Sequence, residues 1–232
     1  LRFLEASVLQ RFLTVLGYGL CHQLPERSFT AGGVQLPVCA RDTGIYLGFA
    51  VAFLVITLLE RRRRASEPPA AWVLALAGLM VAAMGVDGLT SYLGLRETTN
   101  DLRLATGLAA GFGLAVIVIP MLNGQLWRDA VRERVLGRTS AALIWLGSLP
   151  VAYLLIRYVA PVAGVVYPLA TAVAIVFTFL LVNLVIVTLL PSLERKALRL
   201  SDALLPMAFA TLLTLLELLA AAWIRVMTER IL

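Results

Sequence analysis

Residues 44–60 read GIYLGFAVAFLVITLLE and run directly into four arginines, Arg61 to Arg64. This stretch carries no charge until Glu60 and approaches the ~20 residues needed to cross ~30 Å of hydrocarbon. A bilayer core offers no water to exposed peptide groups, so such a run crosses as a helix. The arginine block marks where it leaves the lipid. The same pattern repeats downstream. Residues 70–89 hold Trp72 at an interface position, and 104–124 end near Pro120. Residues 140–159 contain Pro150, placed to kink the helix. Residues 162–190 are long enough to tilt, and 203–225 end near Trp223 and Arg225. The expectation is an all-α fold, a polytopic membrane bundle of about six transmembrane helices.

Upstream, residues 1–20 are amphipathic. Leu4, Val8, Phe12, Val15 and Leu16 share a face, with Glu5 and Arg11 off it. That spacing predicts an N-terminal interfacial helix rather than another span. No small-residue cleavage pattern follows, so the stretch does not read as a signal peptide. The chain begins at Leu1, and a further upstream helix is compatible with this reading. Across 232 residues, 60% are hydrophobic and the mean hydropathy is +0.90, which excludes an ordinary soluble domain. No long polar linker divides the chain. Residues 1–232 therefore read as one integral membrane domain: interfacial helix 1–20, polar loop 21–43 and helical bundle 44–232.

The net charge is +6, from 19 arginines and one lysine against 14 acids. These charges sit in short loops between apolar runs, with no basic groove interleaved with aromatics, which excludes nucleic acid as a partner. The loops after spans one, three and five carry 4, 4 and 3 basic residues. The positive-inside rule makes that side cytoplasmic. The polar stretches Cys21–Asp42 and Thr90–Arg103 then share the extracytoplasmic face of a cytoplasmic (inner) membrane.

The first of these, CHQLPERSFTAGGVQLPVCARDTG at 21–44, holds the only histidine and both cysteines. Cys21 and His22 are adjacent, and Cys39 and Asp42 are three apart. Thiolate, imidazole, thiolate and carboxylate suit a tetrahedral zinc ion. A spacing of three lets the second pair point inward across one turn. Two cysteines on an oxidising face equally suit a disulfide, or can remain free thiols.

The runs Cys21-His22-Gln23-x-Pro25-x-Arg27-Ser28 and Pro37-Val38-Cys39-Ala40-Arg41-Asp42-Thr43-Gly44 resemble a family of small bacterial and archaeal membrane proteins, domain of unknown function 2085. Asp87-Gly88 and Arg96 through Gly107 resemble its second motif. The likeness covers roughly the first half of the chain. Many members carry a third cysteine where this chain has Asp42. An exchange of cysteine for aspartate keeps ligand capacity but not a disulfide, so the resemblance implies a metal site and an integral membrane fold. It implies no activity. The carboxylate at Asp42 is a harder ligand than a thiolate and less selective for zinc.

Other polar residues offer chemistry. Asp87, near the end of the second span, reads as a general base or a further metal ligand, or as a helix-end residue paired with Arg96 or Arg103. Arg27, Arg41, Arg96 and Arg103 can rim an anion site for phosphate or carboxylate, or anchor to headgroups and pair with Glu26, Glu97 and Asp101. Asn100, Arg103 and Gly107 share a helix face beside Thr106. Thr99, Asn100 or Asp101 can cap that helix. Glu217, inside the last span, reads as a proton or ion carrier, or as a partner of Arg157 or Asn183. Arg61 to Arg64 read as a topology anchor.

No GxSxG, Walker, GxGxxG or HExxH pattern occurs. A single histidine excludes a histidine-rich hydrolase centre. Three functions follow. The first is a zinc-dependent hydrolase or transferase acting on an anionic lipid or small molecule. The second is a scaffold or membrane-complex subunit clamped by metal or disulfide. The third is a small-solute or ion transporter.

Overall fold

Two pairs of glycines set the centre of the bundle. Helix α2 (Ala40–Glu60) carries Gly44 and Gly48, and α4 (Asn100–Leu126) carries Gly107 and Gly111, each pair one turn apart. The backbones meet along these stripes. A Cβ on Gly48 would lie 2.7 Å from the carbonyl oxygen of Leu108, and one on Gly107 would collide with the carbonyl of Arg41. Hydrocarbon gives no hydrophobic drive for helices to associate, so close backbone packing between small residues takes its place. The pair is surrounded by Phe49, Ala52, Leu104, Leu108 and Phe112, all fully buried.

The computed structural model describes residues 2–60 and 63–231, with side chains at 8–60 and 63–230. Helix α1 (Arg2–Tyr18) leads into an antiparallel hairpin of β1 (Thr30–Ala31) and β2 (Val34–Gln35). After α2 come β3 (Ala65–Glu67), α3 (Ala71–Tyr92), α4 and β4 (Val131–Arg134), with β3 and β4 pairing in parallel. Helix α5 (Thr139–Leu154) contains Pro150 and opens into a π turn at Leu155–Val159, then a short 3-10 turn. Helices α6 (Val166–Thr188) and α7 (Leu204–Ile231) complete the chain. Six helices are long and apolar enough to cross a membrane, α5 being counted through Ala163.

The expected all-α membrane bundle is therefore present, and helix α1 is not among the six spans. Of the expected apolar face, Leu4 lies outside the residues whose side chains are described, as does Glu5, and a second stripe docks on the protein. Leu13 is buried against Val34 and Ala172, with Leu9 and Leu16 packed beside it. Val8, Phe12 and Val15 are exposed. The docking surface offered by β2 and α6 selects the Leu9–Leu13–Leu16 stripe, and the neighbouring apolar stripe is left outside.

The loops sort to two ends. At one end, β3, β4 and the segment after α6 meet: Trp127 bridges Ala197, and Arg64 ion-pairs with Asp129. Arg64 also stacks 3.8 Å over Trp127 and donates to the Leu198 carbonyl at 3.1 Å. It thus ties three loops together, beyond the anchoring expected of it; Arg61 and Arg62 lie outside the described residues. At the other end sit the 21–39 loop and the segments joining α3 to α4 and α5 to α6, with Gly32 against Gly164 and Val165.

Candidate metal centre in an arginine-lined cleft

Helix α2 begins at Ala40, four residues before the apolar run, so Arg41 and Asp42 occupy its first turn. The Thr43 N–H donates to the Cys39 carbonyl at 2.9 Å, closing that turn. Cys39 and Asp42 then meet: the Cys39 thiol donates to Asp42 Oδ2 at 3.2 Å. Cys21 arrives from the opposite side of the loop. Its Sγ accepts the N–H of Cys39 at 3.2 Å and of Gln23 at 3.5 Å. One ligand atom from each of Cys21, Cys39 and Asp42 lies within 4.8 Å of the others. Both cysteines are free, so no disulfide joins them.

The surroundings polarise the thiols in opposite directions. The neighbouring Cys39 side chain, aided by two backbone N–H groups, holds the Cys21 thiol below its usual range. The neighbouring Cys21 sulfur, burial and the Asp42 carboxylate push the Cys39 thiol up.

Gln23 holds the loop in place. It sits at φ 55°, the left-handed region that non-glycine residues seldom adopt. Its side chain donates to the carbonyls of Pro37 at 2.7 Å and Thr14 at 3.0 Å, and its own carbonyl accepts from Gln35 at 2.8 Å. Arg225 of α7 donates to the carbonyls of Tyr18 at 2.6 Å and Cys21 at 2.5 Å. Neither role is legible in the sequence, since both depend on backbone carbonyls that only the folded loop presents.

The expected four-ligand set is not assembled. His22 is exposed and stands outside the Cys21–Cys39–Asp42 group, because adjacent side chains diverge; it lines the same cleft. That cleft has a volume of about 340 Å³ and is also lined by Arg27, Arg41, Tyr92 and Arg103.

Asp87 is only 1% exposed and every acceptor direction is used. Arg41 donates to it through Nε at 3.1 Å and Nη2 at 2.5 Å, and Arg96 through Nη2. Thr98 adds a hydrogen bond at 3.1 Å, and the Thr106 hydroxyl, 3.4 Å away, donates at 2.9 Å to the Leu102 carbonyl. The expected pairing with Arg96 holds; the one with Arg103 is replaced by Arg41. A carboxylate whose two oxygens each accept two hydrogen bonds, from two guanidinium groups and a hydroxyl, has no free lone pair to act as a base. Asp87 is also not among the grouped ligands.

Arg103 is the odd one out. It is 7% exposed, and its Nη1 donates to Asn100 Oδ1 at 3.0 Å. Among the described residues it has no carboxylate partner. Asn100 in turn donates to the Glu26 carbonyl at 3.0 Å, and Thr99 supplies the helix cap, accepting from the Leu102 N–H at 3.2 Å. Arg27 is exposed at the cleft. Glu217 is remote from all of this: it accepts from Asn183 at 2.7 Å across the α6–α7 seam, and Arg157 pairs with Asp101 instead.

The family described as "Predicted membrane protein (DUF2085)" matches residues 21–117, which span the loop, α2, α3 and most of α4. The uncharacterized protein MJ1492 of Methanocaldococcus jannaschii is 34% identical over 128 residues, covering 53% of this chain and 80% of that protein. An uncharacterized protein of Methanothermobacter thermautotrophicus is 44% identical over 98 residues, covering 42% of this chain and 83% of its own length. No solved structure matches the chain. The matched segment contains both cysteines, Asp42, Asp87 and Arg103, and with relatives aligned over four-fifths of their own length, the chain belongs to this family of predicted membrane proteins.

Proposed function

We propose that this multi-pass membrane protein is a metal-dependent hydrolase or transferase working on an anionic lipid-type substrate. Cys21, Cys39 and Asp42 would hold a zinc ion. The donor set fits: two thiols and a carboxylate form a familiar type of zinc coordination. A tetrahedral ion with bonds of roughly 2.0–2.3 Å sets its ligand atoms roughly 3.3–3.8 Å apart. Atoms already within 4.8 Å need only small rotations to reach that spacing. Three protein ligands leave a fourth position open, the mark of catalytic rather than structural sites. Zinc in such a site supplies Lewis acidity, polarising an oxygen and bringing water within reach of deprotonation near neutral pH.

The remaining roles fall to residues of the cleft. His22 is the free base, exposed at the cleft where it can accept a proton from water. Asp87 is a positioning residue: it fixes Arg41, and with it the first turn of α2 that carries Asp42. The observation that carries the reading is the location of the ligand trio on the wall of a cleft, not in a closed core. By the charge rule this cleft faces the extracytoplasmic side.

A second reading has its own support. Arg225 and Gln23 bind the Cys21 loop to α7 and α1, as a structural clamp would require. Zinc content of the purified chain, compared with Cys39→Ala, separates the two. Lost zinc with unchanged thermal unfolding, and lost release of headgroup from anionic phospholipid vesicles, supports the enzyme. Lost zinc with collapse of the fold supports the clamp. A folded wild-type chain that takes up no zinc overturns both.

A further inference from the structure

We infer that Arg103 and Arg27 form the subsite for a phosphate group, which makes a phosphate ester the substrate class of the centre proposed above. The inference rests on that reading only for the reaction; phosphate binding stands on the arginines themselves.

The four arginines that the sequence offers as an anion rim, Arg27, Arg41, Arg96 and Arg103, are not equivalent. Arg41 and Arg96 share the carboxylate of Asp87. Arg103 is 7% exposed with no carboxylate partner among the described residues. A guanidinium has five N–H donors and cannot give up its proton. One donor is used on Asn100. Burying an unpaired cation is costly, and inside a membrane protein an ionisable group of this kind marks a ligand path. Arg103 borders the cleft, so an anion entering there supplies what the fold withholds.

The anion's chemistry follows from its neighbours. Arg27 lines the same cleft, so an anion there has two guanidinium groups to meet. A carboxylate that gives one oxygen to each has none left. A phosphate monoester that does the same keeps a third terminal oxygen to present toward Cys21, Cys39 and Asp42. Leu20, Leu24 and Tyr92 also line the cleft, and Tyr92 is 85% exposed. An apolar rim at the end of a membrane bundle suits a headgroup whose acyl chain remains in the bilayer.

Isothermal titration of the full chain in detergent tests this with two probes, inorganic phosphate and a single-chain lysophosphatidic acid, each with zinc-loaded and chelator-stripped protein. Both probes are expected to bind. Arg103→Gln should weaken binding roughly 10- to 100-fold, the loss of charged hydrogen bonds. Arg103→Lys should fall between, because it keeps the charge and loses the fork. Arg132→Gln, in the loops at the opposite end, should change nothing. Tighter binding of the lipid probe identifies a headgroup as the source; equal binding identifies free phosphate. Binding indifferent to Arg103→Gln overturns the subsite even if zinc is present. Binding that depends on Arg103 in a chain that never takes up zinc keeps the subsite and removes the metal reading. Should Arg103→Gln fail to fold, the exposed Arg27→Gln must weaken both probes, and no effect there also overturns the proposal.

Discussion

Asp87 shows how far a residue's role depends on its partners. An acid near the end of a span can be a base, a ligand or half of an ion pair, and burial alone does not choose. Two arginines and two threonines surround this one. The carboxylate therefore stabilises positive charge and has no proton-transfer task. Asp87→Asn should leave Arg41 and Arg96 without their counter-charge and destabilise the fold by roughly 3–5 kcal/mol, the cost of breaking a buried pair. Denaturant unfolding in detergent measures this. A variant that unfolds like wild type while losing turnover would return Asp87 to the catalytic role.

Arg225 acts at the same scale but from outside the family match, which ends at residue 117. It holds the carbonyl of Cys21, one ligand of the trio, from the far end of the chain. Such outer contacts typically set metal affinity within a factor of 10 to 100. Arg225→Ala is expected to weaken zinc binding by about that range with the helices intact, read by competition with a chromophoric chelator.

Among elements, two helix pairs use different glue. Helices α2 and α4 meet through glycine, so Gly107→Val must push the backbones apart. Overpacking of this kind costs typically 1–3 kcal/mol or more, and because Arg41 lies at the contact, both thermal stability and zinc retention should drop together. Helices α6 and α7 meet through polar side chains instead. Asn183, 1% exposed, donates to Glu217 and to Thr214 at 3.0 Å. Hydrogen bonds between membrane helices average about 0.6 kcal/mol and reach about 1.7. Asn183→Ala should thus destabilise the chain modestly, without touching the Cys21–Cys39–Asp42 cluster. The sequence singled out Glu217 as an intramembrane acid. Pairing it with Asn183 was one of two options, and only the crossing of α6 and α7 chose between them.

For the whole molecule, the most basic loops and the thiol–carboxylate cluster lie at opposite ends. Arg64 knits the basic loops together at one end, while the cysteines, Asp87 and Arg103 gather at the other. The positive-inside rule then predicts accessibility. In intact cells, a membrane-impermeant maleimide should label Tyr92→Cys, at an 85% exposed position, and should not label Arg132→Cys, each placed in a chain lacking both native cysteines. The reverse pattern would invert the orientation and put the cleft in the cytoplasm.

Composition and periodicity alone carried the membrane class, the six spans and the concentration of basic residues in alternate loops. These follow from a local rule: apolar side chains enter lipid and arginine stays out, whatever the neighbours do. The motif loop was legible for the same reason, because thiols and carboxylates stand out against an apolar chain. What needed the tertiary structure was every question of partnership. Cys21 joins Cys39 and Asp42 while His22 does not, Arg41 takes Asp87, and Arg103 is buried against Asn100. Helix α1 buries Leu13 and not Phe12. Each is decided by which surfaces two distant segments present to each other once the glycine stripes of α2 and α4 have closed, and no spacing along one chain encodes that meeting directly.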